Sequence, residues 1–178
     1  MVKRLKLAKS STLTARRVNK TMKDNLEIQN FSLNFIKNRY MAVVGSVYNG
    51  EPRTFTCWYV YVDGKIYWKS RTQSEHSRAF MQDNKASLCI YDHQSKYPDN
   101  KTGLQILGEV DRISDSSEVE NALAQMQKDF GEEVANKNNI EDLLDSNTQS
   151  TFYRLTPKRF KLVCKDFDLH MEDYETFN

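Results

Sequence analysis

The feature that most restricts this chain is an Asp63-Gly64 pair set between two runs of β-branched and aromatic residues, Thr54–Val62 and Lys65–Lys69. A two-residue hairpin turn needs positive φ at both central residues, and Asp-Gly tolerates it, so this spacing predicts an antiparallel hairpin. An earlier turn, Asn49-Gly50-Glu51-Pro52, follows a first strand at Tyr40–Tyr48 and predicts a second hairpin before it. Thr54–Val62 is apolar on both faces, which predicts a central strand covered on both sides.

After Lys69 the pattern changes. Ser70, Thr72, Ser74 and Ser77 alternate with Arg71, His76 and Arg78, and the chain reads as helix over Gln73–Asp83. Hydroxyls, cations and backbone N–H groups at a strand-to-helix junction make an anion cradle, because a helix N-terminus favours phosphate. The same residues also fit an exposed polar helix start, with His76 a cap or surface residue.

Further strands are expected at Ala86–Tyr91, Gly103–Ile113, Thr151–Leu155 and Arg159–Lys165, the last two separated at Thr156-Pro157. In Gly103–Ile113, Leu104, Ile106 and Val110 share a face with Gly108, and a glycine inside a strand marks a bend or a close approach. Helices are expected at Asn25–Arg39, at Ile140–Leu144, and from the capping-box pattern Asp115-Ser-Ser-Glu118 through Phe130. Asp92–Thr102, with Pro98, reads as a polar loop. Six or seven mostly antiparallel strands at this spacing favour a closed or nearly closed barrel, mainly β with peripheral helices.

At 178 residues the chain is long enough for one domain with a sizeable core. Cys57, Cys89 and Cys164 stand far apart within strand-like runs, which excludes a zinc motif and fits buried thiols in a reducing cytoplasm. No GxGxxG or GxxxxGK[ST] motif is present, so a Rossmann or P-loop nucleotide site has no support. No apolar run of membrane-spanning length occurs, and the basic start is not followed by the apolar stretch of a secretory leader.

Charge is distributed unevenly. Residues 1–23 carry eight cations and no acid, and removing these from the chain's 26 leaves 18 cations against 24 acidic residues, a net of −6. The arm has no aromatic residue for base stacking and poor spacing for an interfacial helix, so neither nucleic acid nor membrane is expected as its partner. Residues 1–23 are expected to be a solvated extension, 24–165 the domain, and 166–178 an acidic tail. Met22 reads as a natural start, which would leave the first 21 residues outside the functional chain.

Four segments taken in order resemble the FMN-binding split-barrel family that includes pyridoxamine 5′-phosphate oxidase: NGEPRTFTCWYV, KIYWKSRTQSEHSRAF, NKASLCIY and LQILGEV. Together they cover roughly Phe31 to Lys165. The resemblance implies a six-stranded Greek-key split β-barrel, paired as a homodimer with two FMN sites at the interface. It also implies an oxidoreductase passing hydride or electrons through flavin N5 to a small-molecule substrate.

Carried over position by position, the resemblance puts the FMN phosphate at Ser70, Arg71, Ser74 and His76. The flavin ring edge falls against Thr56, Cys57 and Trp58, largely through their backbone groups, and Gln105 lies on a strand that reaches the cofactor. His76 stands where many relatives have lysine, and Glu75 where some have arginine. Arg71, Arg53 or Arg78 would then supply the missing charge. The oxidase's substrate lysine corresponds to Tyr59, and the end of this chain is acidic where the oxidase carries arginine and histidine, so pyridoxamine phosphate oxidation itself is not expected. A barrel binding deazaflavin or haem, or a module that holds flavin without turnover, are the alternatives.

Overall fold

The structure, a computed structural model, describes residues 26–94, 96, 101–133, 139–145 and 148–164. The basic arm, Pro98 and the acidic tail lie outside these residues. Two compact units divide at Phe35 and Ile36. In the first, the described residues from 26 onward are helical (α1), with Ile28, Ser32 and Phe35 buried and the Phe31 and Phe35 rings 6.2 Å apart. The helical residues end at residue 37.

The second unit is built on one antiparallel sheet. Its strands are β1 (Met41–Tyr48), β2 (Glu51–Trp58), β3 (Val60–Val62), β4 (Lys65–Arg71), β5 (Lys85–Tyr91), β6 (Gly103–Arg112) and β7 (Ser150–Val163), in spatial order β2-β1-β5-β6-β7-β4-β3. Helix α2 (Glu75–Gln82) joins β4 to β5, and α3 (Ser116–Phe130) and α4 (Ile140–Leu144) join β6 to β7.

Both hairpin turns form as the sequence predicts. Asn49 and Gly50 have φ of 53° and 80°, and Asp63 and Gly64 have φ of 47° and 79°. Left-handed backbone at two consecutive residues is what lets a two-residue turn follow the twist of its strands.

Seven strands form among the described residues, within the six or seven that the spacing favours and one more than the six the resemblance implies, and the expected central strand Thr54–Val62 is not continuous. It breaks at Tyr59. Among the described residues its first part, β2, pairs only with β1 at one margin of the sheet, and its second part, β3, pairs only with β4 at the opposite margin. One continuous stretch of chain therefore links the two margins and curls the sheet toward a barrel, while β2 and β4 come together without a ladder. Apolarity on both faces reflected this change of neighbours rather than a central position. Tyr59 fixes the break: it is 1% exposed, its N–H donates to the Tyr40 carbonyl (2.9 Å), and its hydroxyl donates to the Ile36 carbonyl (2.8 Å).

A second correction concerns Thr156-Pro157, which does not separate two strands. β7 runs through it, and the irregularity is absorbed as a bulge: Leu107 pairs with Arg159 and Gly108 with Pro157, leaving Lys158 as the extra residue. Gly108 is required there, because a Cβ would lie 2.4 Å from the Thr156 carbonyl oxygen.

Alternation fills the interior. Val44, Leu88, Ile90, Leu104, Ile106 and Leu155 are at most 1% exposed, and each such side chain contributes about 1.5–3 kcal/mol on burial. A second apolar cluster joins Val119, Leu123 and Met126 of α3 and Leu143 of α4 to Val60, Tyr67 and Phe152 of the sheet. Asp115 caps α3, accepting from the Glu118 N–H at 2.9 Å. The Glu118 carboxylate does not complete the capping box. It accepts instead from the Tyr67 hydroxyl (2.7 Å), from Arg154 Nη1 (2.9 and 3.0 Å) and from Lys65 Nζ (3.4 Å), and so ties the first turn of α3 to β4 and β7.

Candidate functional site between two unpaired strands

Where β2 and β4 meet without a ladder, a cavity of about 560 Å³ opens. Ligand pockets commonly range over roughly 300–1,000 Å³, so a small planar cofactor is within its capacity. Phe55, Thr56, Cys57 and Trp58 of β2 all line it. Alternate residues of a strand point to opposite faces, so four in succession line a cavity only where it runs along the strand's edge. Among the described residues that edge of β2 has no partner strand, so its outward N–H and C=O groups face the cavity rather than a ladder.

Lys69 and Ser70 of β4 and His76 of α2 form the polar part, and Met126 and Phe130 of α3 form an apolar wall. Ser70 Oγ and His76 Nε2 share a 2.5 Å hydrogen bond. The imidazole stacks on Phe55, with ring centroids 3.8 Å apart and planes 15° from parallel. Burial, against a smaller opposing pull from Glu75, lowers the His76 pKa below its ordinary value and favours the neutral ring. Desolvation likewise lowers Lys69 and pushes the Cys57 thiol up to about 12, so Cys57 is an unreactive, protonated wall residue.

Five of the eight residues expected from sequence therefore converge: Thr56, Cys57, Trp58, Ser70 and His76. Three do not line this cavity. Ser74 is the N-cap of α2; its hydroxyl accepts from the Ser77 N–H (3.3 Å) and donates to the Arg71 carbonyl (2.8 Å). Arg71 is exposed, and its carbonyl also accepts from the Ser77 hydroxyl at 2.7 Å. Gln105 is exposed on β6, between Cys89 and Lys161. The compensating cations are also placed elsewhere: Arg53 pairs with Glu75 at 3.3 Å, and Arg78 lies over the Tyr48 ring at 5.7 Å.

Sequence reasoning missed Phe55, Lys69, Met126 and Phe130. Lys69 and Phe55 adjoin residues that were singled out and follow once the strand edge is seen to face the cavity. Met126 and Phe130 had only the amphipathic pattern of α3, which any packed helix shows. Tyr59 is buried away from the cavity.

A second hollow of about 580 Å³ crosses β1, β2, β5, β6 and β7 and includes Arg53, Lys85, Lys158 and Arg159. It lacks the aromatic walls of the first, which combines a flat apolar lining with a few convergent polar groups.

Residues 31–164 match the family model described as pyridoxamine 5′-phosphate oxidase. The chain belongs to this family. A search of curated proteins gave no match. Among solved structures, the chain is similar to the haem storage protein HutZ of Vibrio cholerae, with a TM-score of 0.61 and 16% identity over 76% of this chain and 93% of that one. It is similar to a putative pyridoxamine 5′-phosphate oxidase of Listeria innocua, with a TM-score of 0.59 and 15% identity over 76% and 98% of the two chains. An FAD-binding protein of Mesorhizobium loti has a TM-score of 0.56 and 11% identity, with coverage of 73% and 89%. At these identities the likeness is one of fold. Among the described residues no helix is long and apolar enough to cross a membrane, and no group of metal-ligating side chains forms.

Proposed function

We propose that this protein binds FMN between β2 and β4 and acts as a cytoplasmic oxidoreductase on a small-molecule substrate. The observation that carries this reading is the cavity itself: an unpaired strand edge on one side, an aromatic wall above, and Lys69 and Ser70 of β4 with His76 in the first turn of α2. These residues fit the cofactor. Phe55, Trp58 and Phe130 offer flat surfaces to a three-ring system, and Lys69 with the Ser70 hydroxyl offers charge and a donor to a phosphate.

Bound FMN would supply hydride and electron transfer. The chain's own part is to position and insulate. The β2 edge offers backbone hydrogen bonds to the ring's polar rim, Met126 and Phe130 exclude water from its face, and neutral His76 holds the Ser70 hydroxyl in place. Tyr59, buried and engaged through its hydroxyl, gives no cation to a substrate phosphate, which favours a substrate other than pyridoxamine phosphate.

We also propose a homodimer. Met41, Val47, Trp58 and Tyr91 are about half exposed on β1, β2 and β5, at 50%, 49%, 60% and 51%. A second copy would cover them, and Gln105 of a neighbouring copy could then approach the cofactor. A haem reading is favoured by one observation, the His76 imidazole among the apolar side chains that line the cavity.

The test is the visible spectrum of the purified chain after incubation with FMN and desalting. Retention near one FMN per chain is expected, with His76→Ala and Lys69→Ala each weakening affinity about tenfold, or about 1.4 kcal/mol. A colourless protein would refute FMN binding, and a Soret band on haemin addition in its place would establish the haem reading.

A further inference from the structure

The cavity has a neighbour. A hollow of about 330 Å³, lined by Tyr40, Met41, Trp58 and Tyr91 with Arg39 and Asp92 ion-paired at 3.5 Å, shares Trp58 with it as a common wall. Phe130, the last residue of α3, stands at that wall. Its ring meets Trp58 edge-on with centroids 5.8 Å apart and meets Tyr40 edge-on at 5.4 Å. Tyr40 and Trp58 line the smaller hollow, whereas Phe130 and Trp58 line the larger. The three rings therefore form the partition between the two spaces.

α3 is held very differently at its two ends. Glu118 fastens its first turn through Tyr67, Arg154 and Lys65. Its last turn is followed by Gly131, whose φ of 95° ends the helix directly after Phe130. Edge-to-face ring pairs attract through their quadrupoles beyond the area they bury, which keeps the partition closed without covalent or ionic anchoring.

We propose that Phe130 is the residue that determines cofactor size: with Trp58 it keeps the β2–β4 cavity narrow, so that the chain accepts a strip-shaped flavin and rejects a porphyrin. This rests on the cofactor reading above. An isoalloxazine is three fused rings in a row, while a porphyrin is broad in both in-plane directions. Removing the Phe130 ring joins the two hollows along Trp58 and widens the space in the second direction. The His76 imidazole lines the cavity, hydrogen-bonded to Ser70, and would be the side chain there able to hold a haem iron if that bond opened.

The experiment titrates the full chain separately with FMN and with haemin, following visible absorbance. Wild type is expected to bind FMN more tightly than haemin. In Phe130→Ala the ratio of haemin to FMN affinity should rise at least about tenfold, equivalent to about 1.4 kcal/mol. The new Soret band should shift or fade when His76→Ala is added. Should Phe130→Ala fail to fold by circular dichroism, Phe130→Leu, which keeps apolar packing but loses the ring, is titrated in the same way and should move the ratio in the same direction. An unchanged ratio in the folded variant, with FMN still bound, overturns the partition alone. A wild type that already prefers haemin overturns it too. Wild type binding neither ligand removes the cofactor reading and the partition with it.

Discussion

The two flanks of β4 are used in opposite ways. Along one, β4 pairs with β7 over six residues, Ile66 to Arg71. Along the other it pairs with β3 only over Lys65–Tyr67, and beyond that it faces β2 with no ladder. The paired flank satisfies backbone groups internally and carries Trp68 and Phe152, both fully buried. The unpaired flank leaves backbone groups for a ligand and collects Lys69, Ser70 and His76. On the proposed reading, stability is concentrated in the seams and binding in the gap, so substitutions in the two regions should separate cleanly.

The largest effect is expected in a seam. Gly108→Ala would put a Cβ 2.4 Å from a backbone carbonyl at the β6–β7 bulge and should cost about 3 kcal/mol or more, read as a lower urea midpoint. FMN affinity of the fraction that remains folded should be unchanged. Glu118→Gln comes next, removing a charge that faces Arg154, Tyr67 and Lys65, with an expected loss of about 1–2 kcal/mol at pH 7. Burial alone would raise the Glu118 pKa, but hydrogen bonds from Tyr67 and Arg154 outweigh it and the net shift is downward. A lowered carboxylate stabilises the fold above its ordinary value and loses that contribution as pH falls through the folded value. The gap between wild type and Glu118→Gln should therefore narrow below pH 4.5 in acid titrations of stability.

Ser74→Ala should cost about 1 kcal/mol by removing the α2 cap, seen as a lower melting temperature. FMN affinity should fall only slightly, since Ser74 does not line the cavity. The smallest change in stability, with a clear change in binding, belongs to His76. Its pKa is lowered, so the folded chain resists protonation and loses stability as pH drops below 6.5, the ordinary value. His76→Gln should remove that pH dependence. A stability loss for His76→Gln as large as for Gly108→Ala would break the distinction between seam and gap.

How far the sequence showed this division depended on the range of the interactions. Asn49-Gly50 and Asp63-Gly64 are local turn signals, and both hairpins form where they predict. Gly108 in an alternating strand signalled close approach, and the Thr156 carbonyl is what approaches it. The break at Tyr59 was not legible, because it depends on pairing with strands far apart in sequence, β1 on one side and β4 on the other. Ser70 and His76 were visible as chemistry at a strand-to-helix junction, and their contact joins residues six apart. Ser74 was visible too, but its hydroxyl is taken by the helix it starts. Phe130 lies 72 residues beyond Trp58 in the chain, and only tertiary packing brings the two rings together.

Hydrogen–deuterium exchange of the chain with and without FMN tests most directly whether the β2–β4 gap is the cofactor site. FMN should slow exchange at Phe55–Trp58 and Lys69–His76 and leave the β6–β7 seam unchanged. Protection confined to the basic hollow around Arg53, Lys85 and Lys158, with none at Phe55–Trp58, would contradict it.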